Sequence, residues 1–184
     1  MKRVVLVILG SVLATGAMAQ DSAPFQLSLV PNIAIQSRDT AINGVSLGVW
    51  NENPGTQWQL GFVNGATGDS AGLQWFVFLP TILNYAENYT GAQLGLVNYA
   101  SGEFTGLQWG LVNYANTLTG VQLGTVNAAQ TATGFQWGFA NYAAVGDNLF
   151  QLGLINIIAD NAWFSDFPGD LAQGMVFVNW SFGE

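Results

Sequence analysis

Three aspartates near the C-terminal end, Asp160, Asp166 and Asp170, are the candidates for a metal-binding or catalytic site. They lie in 159–173, the longest connection outside the repeat units. Clustered carboxylates can bind Ca²⁺, and paired carboxylates across a cleft can hydrolyse glycosides. The spacing matches no EF-hand loop, and nothing in the sequence places two carboxylates across a cleft. We therefore expect a solvated loop, with no metal ligand and no catalytic residue.

The composition excludes several other kinds of site. The chain has no Cys and no His, which removes the common nucleophile systems, Cys/His zinc sites and iron–sulfur clusters. We expect a protein that is not an enzyme and uses no cofactor. Apart from Lys2 and Arg3, its one basic residue is Arg38, against 11 acidic residues. Such a chain cannot neutralise a phosphate backbone, so we expect no nucleic-acid partner.

The first 19 residues have the pattern of a secretory signal peptide. Lys2-Arg3 is a basic start, Val4–Leu13 is mostly apolar, and Ala17-Met18-Ala19 supplies small residues for cleavage. The apolar run is shorter than the ~20 residues of a spanning helix. We predict a signal peptide over 1–19, a single β-repeat domain over 20–184 and an exported protein.

An internal repeat of the form G-x-Q-x-G-x-x-N-x-A organises the rest of the chain. A clear copy runs from Gly106 to Ala115, and the repeat Gln recurs every 14 or 15 residues between Gln93 and Gln151. Repetition at a fixed period indicates a repeat architecture. The structural repeat residues are Gln59, Asn64, Gln74, Asn84, Gln93, Gly95, Asn98, Gln108, Gly110, Asn113, Gln122, Gly124, Asn127, Gln136, Gly138, Asn141, Gln151, Gly153 and Asn156.

Each repeat has the composition of one β-strand followed by a turn. Leu, Val, Trp, Phe and Tyr run between short polar clusters, and the recurring Gly disfavours a helix. Leu107, Trp109 and Leu111 fall on one face of their strand. Gln108 and Gly110 fall on the other, which is small and almost uncharged. The pattern predicts an all-β fold with one strongly apolar face.

A small transmembrane barrel would turn that apolar face to lipid and fill its lumen with Gln and Gly. Trp alternates with Leu after the repeat Gln, so Trp75, Trp109 and Trp137 could form an aromatic belt at one rim. Strand-like ends at 25–29 and 175–182 suggest that the first and last strands pair. We expect an antiparallel meander of about 8–10 strands that closes into a small barrel.

A β-solenoid with one 14–15-residue coil per repeat is the alternative. It explains the uniformly short connections, since outer-membrane barrels have long loops at one rim. Such a solenoid would bury Leu107, Trp109 and Leu111. It would also stack the repeat asparagines Asn98, Asn113, Asn127 and Asn141 in a ladder. Either fold must absorb an insertion, Phe76–Pro80, as a bulge or as a plug or partner-binding element.

The repeat resembles that of bacterial surface-repeat proteins built from "GLQLGLVN"-type units. The start at Phe25–Pro31 is similar to that family's opening strand, and Val178–Phe182 resembles its closing strand. The resemblance extends over about residues 25–182. It implies a secreted or surface-exposed β protein, with no activity or site residue to carry over.

We therefore expect a non-enzymatic structural β-repeat protein at the outer membrane or cell surface, with the outer-membrane bilayer as its partner. The alternative is a secreted β-solenoid binding module, periplasmic or extracellular. In that case the repeat Gln side chains would hydrogen-bond a carbohydrate or protein partner. Trp75, Trp109 and Trp137 would then be stacking platforms.

Overall fold

The computed structural model describes residues 22–75, 81–161 and 173–182. Nine strands in these ranges form one sheet, in the order β2-β1-β3-β4-β5-β6-β7-β8-β9. The strands are β1 (Ser22–Val30), β2 (Ile33–Ala34), β3 (Ala41–Glu52), β4 (Thr56–Trp75), β5 (Thr81–Trp109), β6 (Val112–Leu123), β7 (Val126–Trp137), β8 (Ala140–Asp160) and β9 (Gly174–Ser181).

Successive repeats lie on one another in the same orientation and in equivalent register. From β3 to β8 every neighbouring pair of strands is parallel. Between β6 and β7, for example, Gly120 faces Gly134 and Gln122 faces Gln136. The chain thus coils into a β-solenoid of about seven turns, with one repeat in each turn. The turns between Gln93 and Gln151 have 14 or 15 residues each. The longest strands, β4, β5 and β8, continue beyond a single turn.

The all-β prediction is confirmed, and the solenoid alternative describes the fold. The prediction of an antiparallel meander closing into a barrel is wrong. β1 and β2 lie at one end of the sheet and β9 at the other, so the first and last strands do not pair. The alternation of Trp and Leu therefore does not mark strands running up and down. Equivalent repeats stack in parallel because each coil then offers the next coil the same groups for hydrogen bonding.

A ladder of glutamine side chains runs through the core. Each Gln donates from Nε2 to Oε1 of the Gln in the preceding coil; between Gln122 and Gln108, and between Gln136 and Gln122, the distance is 2.7 Å. These side chains are completely buried. Burying an amide is costly unless its hydrogen bonds are made, and the ladder makes them. The ladder comprises Gln59, Gln74, Gln93, Gln108, Gln122, Gln136 and Gln151.

A second ladder, of asparagines, runs beside the first with the opposite polarity. Each Asn donates from Nδ2 to Oδ1 of the Asn in the following coil, and the distance from Asn113 to Asn127 is 2.8 Å. The amide dipoles of the two ladders therefore oppose each other along the solenoid. The asparagines are Asn51, Asn64, Asn84, Asn98, Asn113, Asn127, Asn141 and Asn156.

The second amide hydrogen of the ladder side chains bonds to a backbone carbonyl near the bend between Gln and Asn in each repeat. Gln122 donates to the carbonyl of Ala128 in its own coil at 3.2 Å, across the bend. Asn113 donates to the carbonyl of Leu123 in the next coil at 2.9 Å. The two amides thus hold the strands on either side of the bend at a fixed angle.

Two glycines of each repeat leave no room for a side chain. Gly120 has φ of +142°, and a Cβ there would lie 2.2 Å from the carbonyl oxygen of Gly106 in the preceding coil. A Cβ on Gly124 would lie 2.5 Å from Nδ2 of Asn113. Glycine is required at the first position because other residues rarely adopt its positive φ. It is required at the second position because a side chain there would collide with the asparagine ladder.

Small apolar residues complete the core. The repeat alanines Ala100, Ala115, Ala129 and Ala143 are fully buried. A second inward position holds larger side chains, and there Tyr89 stacks on Phe104 with 6.1 Å between ring centroids. The core therefore combines the two amide ladders with a row of buried apolar side chains.

This core corrects the prediction of which face a solenoid would bury. Trp109 and Leu111 were expected inside, but they are 61% and 56% exposed, and Leu107 is only partly buried. The amide-bearing face lies inside instead. The reason is that Gln and Asn at a constant period can satisfy one another along the stack, whereas stacked Trp side chains would not fit beside the close glycine contacts.

The polarity of the glutamine ladder predicts unequal effects of removing its members. Gln122 bonds to a Gln on each side, whereas Oε1 of Gln151 has no hydrogen-bond partner among the described residues. Gln122→Met removes a hydrogen bond from the ladder Gln of each of two neighbouring coils. Gln151→Met removes one from a single neighbouring coil. We expect Gln122→Met to lower the free energy of unfolding by about 1–3 kcal/mol more than Gln151→Met, measured by urea unfolding. Equal losses would contradict the polarity of the ladder.

Candidate functional site

The outward surface of the repeats is apolar over much of its width. In each coil the residues flanking the buried Gln point outward and are apolar, as Leu107 and Trp109 do around Gln108. Trp137 is 56% exposed in the same column as Trp109. Monomeric proteins rarely expose a continuous apolar surface of this extent, and such surfaces mark interaction sites.

The bend that follows the repeat Gly carries the most prominent part of this surface. Gly110 and Leu111 form the bend between β5 and β6, and both Leu111 and Val112 are exposed. We call the two positions before each repeat Asn the apolar ridge. Its members are Val49, Trp50, Phe62, Val63, Ile82, Leu83, Leu96, Val97, Leu111, Val112, Thr125, Val126, Phe139, Ala140, Leu154 and Ile155.

Aromatic columns flank the apolar ridge on both sides. On the Gln side lie the tryptophans at alternate coils, Trp75, Trp109 and Trp137. On the Asn side a tyrosine column contains Tyr99 and Tyr114, whose rings stack with 5.2 Å between centroids. Trp and Tyr combine an apolar ring with one polar atom, so they suit the border between an apolar and an aqueous region.

A shallow groove crosses this surface between two of the tryptophans. Trp75 and Trp109 form its walls, and Leu94, Leu96 and Leu111 form most of the remainder. Gln93 and Gln108, which were candidates for binding a sugar, lie in the core and bond to each other at 2.8 Å. The groove therefore presents aromatic surfaces for stacking, while the amides that would hydrogen-bond a carbohydrate are buried and bonded to one another.

A polar cluster stabilises the N-terminal end of the ridge. Glu52 is 3% exposed and forms a salt bridge with Arg38. Tyr85 lies over Gly65, where a Cβ would collide with its ring, and its hydroxyl donates to Glu52. Nε1 of Trp50 donates to the same hydroxyl at 2.9 Å. The cluster pairs a buried carboxylate with both an arginine and a phenol.

Sequence reasoning did not identify this cluster. A signal was nevertheless present, because Glu52 and Gly65 occupy the repeat position where later coils have Tyr99 and Tyr114. A glycine there leaves space for the tyrosine of the next coil. Only the register between coils shows that Tyr85 reaches Glu52 through this space.

Two phenols, the half-buried Tyr85 and the buried Tyr89, have raised pKa values. Burial, reinforced by the neighbouring Glu52 carboxylate, raises the pKa of Tyr85 well above its ordinary value of 10.0. Burial alone raises the pKa of Tyr89, whose hydroxyl has no hydrogen-bond partner among the described residues. Both groups are therefore held in the protonated form by the fold.

The other sequence candidates contribute no assembled site to the described part of the chain. Asp160 is exposed at the end of β8, while Asp166, Asp170 and the insertion Phe76–Pro80 lie outside the described residues, as does the predicted signal peptide. Residues 22–75, 81–161 and 173–182 contain no group of three or more acidic residues arranged to hold a metal ion. Within the same ranges, no helix has the length and apolar character needed to cross a membrane.

Comparisons of the chain with protein-family models, curated proteins and solved structures find no match. The resemblance to surface-repeat proteins therefore rests on the repeat and the two end strands alone. What the protein does has to be argued from its own surface.

The two perturbed phenols predict a loss of stability at alkaline pH. Unfolded tyrosines release their protons near pH 10, before Tyr85 and Tyr89 do so in the folded protein. Their stabilisation is thus fully present below about pH 10 and declines as the pH rises above it. We expect the free energy of unfolding to fall less steeply there in the double variant Tyr85→Phe/Tyr89→Phe. Urea unfolding at a series of pH values measures this, and identical slopes would contradict it.

Proposed function

We propose that the protein is a non-enzymatic structural β-repeat protein that is exported and held at the outer membrane or cell surface through its outward apolar surface. The observation that carries this proposal is the exposure of Leu, Val, Phe and Trp side chains in coil after coil. Exposing these residues to water is unfavourable, by about 25 cal/mol for each Å² of apolar surface. A partner that covers the surface recovers this free energy.

The arrangement of polar groups supports a structural role. The amides of the repeats are engaged in the two ladders, which leaves the solenoid rigid and its interior closed to ligands. Export is supported by the signal-peptide pattern at residues 1–19. The bilayer of the outer membrane is the partner that best suits an apolar surface on a protein exported by this route.

A secreted binding module is the second candidate function. The exposed walls of the groove, Trp75 and Trp109, favour it, because tryptophan rings can stack on sugars or pack against a protein partner. The apolar lining suits a protein partner better than a carbohydrate, since sugar hydroxyls need hydrogen-bonding groups beside the stacking ring. This candidate predicts a protein recovered in the periplasm or the medium.

Cell fractionation tests the proposal. We expect the full chain, expressed in a Gram-negative host, to sediment with the outer membrane and to remain there after a high-salt wash. Salt screens charge interactions but does not weaken apolar contacts. Detergent should release the protein. A variant lacking residues 1–19 is the control and should stay in the cytoplasm. Recovery of the full chain in the periplasm or the medium would contradict attachment to the membrane.

A further inference from the structure

We infer that the apolar ridge enters the hydrocarbon region of a single lipid leaflet, so that the solenoid lies with its axis in the plane of the membrane. This inference rests on the proposed function and assigns the surface and the orientation of contact. At the ridge two consecutive residues of each coil, such as Leu111 and Val112, lie outside the core and are mostly apolar. The other consecutive outward residues of the coils are mostly polar or glycine, as Asn116 and Thr117 illustrate.

The ridge is convex. The Gln side chain before the bend and the Asn side chain after it both point into the core, so the bend between them projects outward. The hydrogen bonds from Gln122 to Ala128 and from Asn113 to Leu123 hold this shape. With ~4.8 Å between neighbouring coils, the ridge extends for about 30 Å. A rigid apolar ridge fits a deformable lipid phase, as the apolar face of an interfacial helix does.

On either side of the ridge the exposed residues change from apolar to aromatic, and beyond the tyrosine column they become polar. This is the order in which residue types change from the hydrocarbon of a membrane to water. Moving away from the ridge past Tyr114, the next outward side chain is the exposed Asn116, followed by Thr117 and Thr119. On the other side Trp109 borders the ridge. Trp and Tyr concentrate at the level of the lipid headgroups in membrane proteins. Aromatic residues on both sides of one apolar strip therefore suit a strip that sits just below the headgroups.

The exposed carboxylates of the coils lie away from the ridge, and the one charged pair at its N-terminal end is the salt bridge between Arg38 and Glu52. The exposed acidic residues of the coils follow the repeat Asn by three to six residues, on the polar side. They are Asp69, Glu87, Glu103, Asp147 and Asp160. An acidic protein is normally repelled by anionic headgroups. Here the uncharged ridge meets the lipid while the carboxylates face the aqueous phase.

A second copy of the chain fits the ridge less well. The ridge is only two residues wide in each coil, whereas a stable dimer buries about 800 Å² on each partner. A lipid leaflet can close around the ridge from both sides.

Vesicle binding of two charge-matched variants tests the inference. Leu111→Glu places a carboxylate on the ridge, and Asn116→Glu places one on the polar side of the same coil. We expect the exported protein and Asn116→Glu to float with vesicles of phosphatidylcholine. The apparent affinity of Leu111→Glu for the vesicles should be weaker by about tenfold or more, since a leucine that enters the lipid is replaced by a charge. Leu154→Glu, on a different coil, should behave like Leu111→Glu.

Urea unfolding shows whether each variant is folded, and sedimentation velocity gives its oligomeric state. Equal binding of Leu111→Glu and Asn116→Glu overturns the inference, as does failure of the unsubstituted protein to float. If Leu111→Glu instead converts a dimer to a monomer, the ridge is covered by a second copy and the inference is also wrong.

Fractionation separates failure of this inference from failure of the proposed function. A protein that sediments with the outer membrane, while Leu111→Glu and Asn116→Glu bind vesicles equally, keeps its proposed function and loses the assigned ridge. A protein that is not retained at the membrane or cell surface loses both.

Discussion

The fold depends on hydrogen bonds between equivalent amide side chains in neighbouring coils. A buried amide has two donors and an acceptor that must be satisfied, and Gln122 satisfies them with Gln108, Gln136 and the carbonyl of Ala128. The partner at each step is the same residue of another repeat, so the period and the register of the solenoid are tied to the chemistry of its core. A shift of one residue would leave the amides of a whole coil unpaired.

The amide core explains the unusual surface. With the Gln- and Asn-bearing side of each strand buried, the alternation of β-structure sends Leu, Trp and Phe outward. Tight packing around Gly120 and Gly124 leaves no room for large side chains at those two positions beside the amide ladders. An apolar exterior is thus a consequence of a polar interior, and it provides the surface on which the proposed attachment rests.

The ends of the solenoid depart from the repeat, and each departure has a visible physical role. At the N-terminal end, Glu52 is neutralised by Arg38 and bonded by Tyr85, which a glycine at position 65 admits. At the other end, β9 runs antiparallel and places Asn179 opposite Gln151. Because Asn179 does not continue the glutamine ladder, the stack of equivalent repeats ends there.

The all-β class, the 14–15-residue repeat and the residues that define it could be predicted from the sequence, because periodicity and strand alternation are local properties. The two faces could be separated too, with Trp109 on one and Gln108 on the other. That the strands stack in parallel, and that the amide face is the buried one, is visible only in the folded chain. Both outcomes depend on hydrogen bonds between residues 13 to 20 positions apart, whose geometry no single repeat contains. The cluster of Arg38, Glu52 and Tyr85 likewise depends on contacts between residues far apart in the sequence.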